Sequence, residues 1–142
     1  MQTIARISLA LLSTAFVQFS LASCPNALKT QSAIDSFAVD YPECVGSESY
    51  SLDISGNDDL IINLDGLAQL TRLGRFRISN TSLVSLAGLK NVVAISSFSL
   101  SGDRALRDFS GLTSLQKIGR LTVSGSSIET LEGLQALTTT QR

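Results

Sequence analysis

The sequence predicts a mainly β chain: a parallel β-helix, or solenoid, of about four coils of 22–23 residues, headed by a capping helix. Three observations carry this reading. Gly-Leu pairs recur at Gly66-Leu67, Gly88-Leu89, Gly111-Leu112 and Gly133-Leu134, at intervals of 22, 23 and 22 residues. Upstream of each pair lies an apolar–variable–apolar triplet: Leu52-Asp53-Ile54, Phe76-Arg77-Ile78, Phe98-Ser99-Leu100 and Leu121-Thr122-Val123. Each triplet is followed by Ser and then Gly or Asn, at Ser55-Gly56, Ser79-Asn80, Ser101-Gly102 and Ser124-Gly125. A fixed period of this length means one unit stacked on copies of itself.

The first element is an export leader, residues 1–22. Arg6 supplies the positive start, Ile7 to Val17 the apolar core, and Ser20-Leu21-Ala22 a small-x-small cleavage site. Ser8, Ser13, Thr14, Gln18 and Ser20 interrupt the run and weigh against a membrane span. Export places the chain outside the cell or in the periplasm.

Residues 23–48 follow as a cap. Thr30 is suited to N-cap a helix whose apolar face is Ala33, Ile34, Phe37 and Ala38, and Pro42 ends it. Cys24 and Cys44 are the two cysteines. In an exported chain they are most simply one disulfide. Two other readings stand beside it. Leu21-Ala22-Ser23-Cys24 also fits a bacterial lipoprotein box, with Cys24 lipidated, and both thiols could be buried and free.

Residues 49–137 hold the coils. Within each, the triplet is a short strand with one buried face. Gly or Asn after the Ser tolerates positive φ and turns the chain. Further apolar rows follow: Ile61, Leu83, Leu106 and Ile128; Leu64, Leu86, Phe109 and Leu131; Leu70, Val92, Leu115 and Leu137. One coil buries too little to offset its own ordering entropy, so the unit is stable only in an array. The variable strand positions form an outward column, Asp53, Arg77, Ser99 and Thr122, with Asp53 and Arg77 expected to pair. Residues 138–142 are a tail.

Composition narrows the function. Eleven basic residues against twelve acidic ones argue against a nucleic-acid binder. There is no histidine, which removes Ser-His-Asp and Cys-His catalysis and the commonest metal ligand. No cofactor is expected.

The segment Thr30 to Phe37, then Tyr41-Pro42-Glu43-Cys44 and Leu64-Asp65-Gly66-Leu67, resembles the opening of secreted repeat proteins of the receptor L-domain type. Leu83 to Leu89 and Ile118 to Ser124 are similar to their recurrent coil. The likeness covers about residues 24–137. It implies a right-handed, leucine-rich-repeat-like β-helix with an N-terminal cap, used at the cell surface for binding or wall-associated roles, and it implies no catalytic residues. The chain departs from that family in being short and in ending after Leu137 with no visible capping element. Two expectations follow: a truncated product, or an open end that pairs end to end with another chain.

The candidate binding face is Arg75, Arg77, Ser99, Arg120 and Thr122, directed at an unidentified protein or glycan. Arg72, Arg104, Arg107 and Lys117 add basic charge to the middle coils, which Asp53, Asp103 and Asp108 would balance as solvated faces. The Ser55, Ser79, Ser101 and Ser124 column reads as a hydroxyl ladder between turns. Its sharper reading is a plane for ice or glycan, which the arginines spoil. Asn80-Thr81-Ser82 matches the N-glycosylation pattern. Asp58-Asp59 lacks the spaced ligands of a calcium loop. A polysaccharide-cleaving enzyme of β-helical form would need paired carboxylates, which the pattern does not indicate.

Overall fold

The computed structural model describes residues 23–56 and 60–140. The expected leader, the Asp58-Asp59 run and the last two residues of the tail lie outside them. Six strands form one parallel sheet in chain order: β1 (Ala27–Leu28), β2 (Leu52–Ser55), β3 (Arg72–Ser79), β4 (Ala94–Ser101), β5 (Lys117–Ser124) and β6 (Thr139–Thr140).

This corrects the expected β-helix of about four coils. A β-helix closes its core between several sheets, whereas every strand described here belongs to a single sheet. The layer opposite is made of short 3-10 turns at Asp65–Leu67 and Ala87–Leu89 and of irregular backbone. The expected capping helix is also two short helices, α1 (Gln31–Asp35) and α2 (Phe37–Asp40), parted at Ser36. The sheet runs past the expected coil region at both ends, since β1 pairs with β2 and β6 with the start of β5.

The core lies between the sheet and the turns. Phe76 and Ile78 of β3, and Phe98 and Leu100 of β4, are wholly buried, as their alternation requires. Leu67, Leu89 and Leu112 are buried behind them. Each of these leucines donates its N–H to the carbonyl three residues back, Leu64, Leu86 and Phe109, so one turn recurs in each repeat. Phe76 stacks on Phe98 at 5.3 Å, and Phe98 meets Phe109 edge-on at 6.3 Å.

The Gly of each Gly-Leu pair has a steric cause. A Cβ on Gly88 would lie 1.9 Å from the Leu64 carbonyl oxygen, and one on Gly66 would lie 1.9 Å from that of Ile34. Adjacent repeats, and α1 against the first repeat, touch backbone to backbone there, so only hydrogen fits.

At the N-terminal end, Thr30 caps α1 by accepting from the Ala33 N–H. Gln31 fastens α1 to the first repeat, its Oε1 accepting from the Ile62 and Asn63 N–H groups. Cys24 is joined to Cys44. Gln69 donates to the Tyr41 and Cys44 carbonyls, tying the bridged segment to the body. Of the three readings of the cysteines, the disulfide is the one this structure holds.

Candidate functional site

The polar face of the sheet gathers the five predicted face residues. Arg77, Ser99 and Thr122 point outward because they alternate with buried Phe76 and Ile78, buried Phe98 and Leu100, and partly buried Leu121. Arg75, Ser97 and Arg120 follow from the same alternation, each standing two residues before Arg77, Ser99 and Thr122. Leu73 breaks the pattern: strict alternation would put it on the outward face with Arg75 and Arg77, yet it is buried. Pairing lapses just after it: Gly74, Ser96 and Gly119 have no register partner, while residues on either side do. The backbones approach closely here, as a Cβ on Gly74 would meet the Glu48 carbonyl oxygen at 2.5 Å and one on Gly119 that of Ser96 at 2.3 Å. This irregularity resets the alternation and lets Leu73, Ile95 and Ile118 turn into the core while Arg75, Ser97 and Arg120 keep to the polar face.

Two columns result. Arg75, Ser97 and Arg120 stand in register across β3, β4 and β5. Asp53, Arg77, Ser99 and Thr122 stand beside them across β2 to β5. With Asn26 and Ser51 they line a shallow groove of about 560 Å³. The strands contribute three arginines to it against one carboxylate. Arg77 faces Asp53 at 3.7 Å, with both side chains largely in solvent, so the pair contributes at most ~1 kcal/mol. Arg75 and Arg120 have no carboxylate within ion-pair distance among the described residues. Guanidinium groups offer planar, forked donors to carboxylate, sulfate or phosphate, and the neighbouring hydroxyls both donate and accept.

The remaining basic residues do not join this patch. Arg72 pairs with Glu48 at 3.2 Å and Arg107 with Glu129 at 2.8 Å. Lys117 lines a separate cavity of about 290 Å³ with Glu48, Ala94 and Ile95. The serine column is in register, but backbone joins its turns: Gly56, Asn80 and Gly102 donate to the carbonyls of Ser79, Ser101 and Ser124. Among the described residues none of these four serine hydroxyls bonds to the next. Asn80 is exposed on its turn at φ 55°, the slot that Gly102 and Gly125 fill at 74° and 60°.

One acid differs from the solvated role expected of it. Asp103 is wholly buried. Its Oδ1 accepts from the Thr81 N–H at 2.8 Å and the Thr81 hydroxyl at 2.6 Å, and its N–H donates to Ser126 Oγ. Oδ2 is buried without a partner. Burial raises its pKa above the usual carboxylate value, partly opposed by the bonds from Thr81. Asp108 accepts from the Ser110 N–H and hydroxyl, which lower its pKa. The sequence held one sign of the first network: Thr81, Asp103 and Ser126 occupy the same slot after the turn residue in successive repeats, a hydrogen-bonding column rather than a random set.

Among the described residues, apolar side chains at the far end of the stack are left exposed. Val123 is 40% and Leu131 66% exposed, whereas Ile78, Leu100, Leu64, Leu86 and Phe109, their counterparts in earlier repeats, are at 0%. β6 pairs only with Lys117 and Ile118, so the rest of β5 has no partner on that side among the described residues. Among the described residues no helix is long and apolar enough to cross a membrane. Comparison of the chain with family models, with curated proteins and with solved structures finds no match.

Proposed function

We propose that this chain is a secreted or surface-displayed, non-catalytic binding module of receptor L-domain type, and that it binds through the polar face of its sheet. One observation carries the reading. Five residues spread over 48 positions of sequence, Arg75 to Thr122, line one groove, brought together by strand alternation and by the in-register pairing of three strands. A surface of this shape suits an extended ligand laid across the strands. The disulfide and the expected leader favour an oxidising compartment. The groove holds one carboxylate among the described residues, Asp53, where paired-carboxylate cleavage of a glycosidic bond calls for two.

A glycan and protein array probed with the chain tests this. Saturable binding that weakens in Arg77→Ala, with unfolding unchanged, is the expected result. Turnover of a polysaccharide would replace the binding-module reading with an enzymatic one, and thermal hysteresis would replace it with ice binding.

A further inference from the structure

We infer that the groove takes a linear acidic polysaccharide running across the strands, with anionic groups on alternate sugars seated on Arg75 and Arg120. This rests on the polar face being the binding surface.

The argument is one of spacing and of what the lining offers. Arg75 and Arg120 occupy the same register position two strands apart, with Ser97 between them. Their backbones are therefore about 10 Å from each other, twice the strand spacing. Neither is neutralised by a carboxylate among the described residues, while Arg77 is already turned to Asp53. The groove thus presents two uncompensated cations at a fixed interval. Between and beside them lie Ser97, Ser99 and Thr122, short polar side chains suited to a ligand covered in hydroxyl groups.

An acidic peptide fits less well. An extended strand repeats its side chains on one face at about 6.7 Å, which does not match. Peptides that add to a sheet also need an unpaired backbone edge. In the groove, β3 and β4 are paired on both sides, and a strand added to the open edge of β5 would run alongside Arg120 and Thr122 and not across the groove to Arg75. The lining includes no aromatic side chain to anchor a peptide residue.

The test uses the whole chain and a polysaccharide of alternating uronic acid and N-acetylhexosamine, beside the same polymer with its carboxyl groups reduced to alcohols. Expected are salt-sensitive binding to the acidic polymer, little to the reduced one, and a loss of about fivefold in each of Arg75→Gln and Arg120→Gln, the size of one exposed charge contact. A tetrasaccharide with two carboxylates should bind better than a disaccharide with one, and that gain should vanish in Arg120→Gln. Both arginines are exposed, so thermal unfolding of the variants reports whether the fold is intact. Equal binding of the reduced polymer would overturn the acidic ligand. A gain with length that survives in Arg120→Gln would overturn the spacing. Preference for a poly-glutamate peptide would overturn the glycan. In each of these cases continued weakening by Arg77→Ala leaves the sheet face as the binding surface, whereas indifference to all three substitutions removes that reading too.

Discussion

Gly88→Ala is the most direct probe of how the repeats hold one another. The new Cβ would lie 1.9 Å from the Leu64 carbonyl oxygen and 2.1 Å from its carbon. Ordinary contact begins at 3.4 Å, so the two backbones must part by about 1.5 Å. Neither can yield alone. Leu64 accepts the Leu67 N–H and Leu86 the Leu89 N–H, and both leucines are wholly buried. Overpacking of a close-packed interior costs about 1–3 kcal/mol, and a clash between two main chains takes the upper part of that range. Against it stands a gain of ~0.4–1 kcal/mol from the stiffer unfolded chain. The net expectation is a loss of about 2 kcal/mol, or roughly 6–12 °C in Tm for a domain of this size. Urea unfolding followed by circular dichroism measures it. Gly125→Asn is the control: its nearest atom to a new Cβ is 3.6 Å away, and Asn80 already occupies the equivalent slot at φ 55°. That variant should stay within about 1 kcal/mol of the parent. If Gly88→Ala were as stable as Gly125→Asn, backbone contact between repeats would not be what the recurring glycine serves.

Two further outcomes follow from the cap and from the buried acid. Reducing the Cys24–Cys44 bridge, which closes a separation of 20 residues, should cost on the order of 3 kcal/mol, seen as a lower urea midpoint in reductant and a mass gain of two hydrogens. For Asp103 the native pKa lies above the unfolded one, so its favourable contribution is full below the unfolded value and is lost as pH rises through the native value. The stability of Asp103→Asn relative to the parent should therefore improve from about pH 4 upward. A difference that does not change with pH between 4 and 8 would mean the carboxyl is not titrating in a buried site.

Much of the architecture was legible because a repeat reports the same constraint several times. The Gly-Leu spacing, the first three triplets with one buried face and the Asp53–Arg77 pairing all follow from backbone period and steric fit, which sequence encodes locally. The number of sheets did not. Whether the segment after each turn pairs as a second strand or closes as a 3-10 turn depends on hydrogen bonds between coils, and the apolar rows look alike in both cases. Asp103 was read as a solvated acid because nothing in its own neighbourhood marks burial; its partner Thr81 is 22 residues away.

The binding face divides along the same line. That Arg77, Ser99 and Thr122 share one side was fixed by alternation alone. Alternation puts Arg75 and Arg120 there too; that Leu73, Ile95 and Ile118 nonetheless enter the core depended on the lapse in pairing at Gly74, Ser96 and Gly119, where backbones approach too closely for a side chain on either glycine. Local pattern can state which residues leave the core. Only contact between distant segments decides where an irregular strand breaks that pattern.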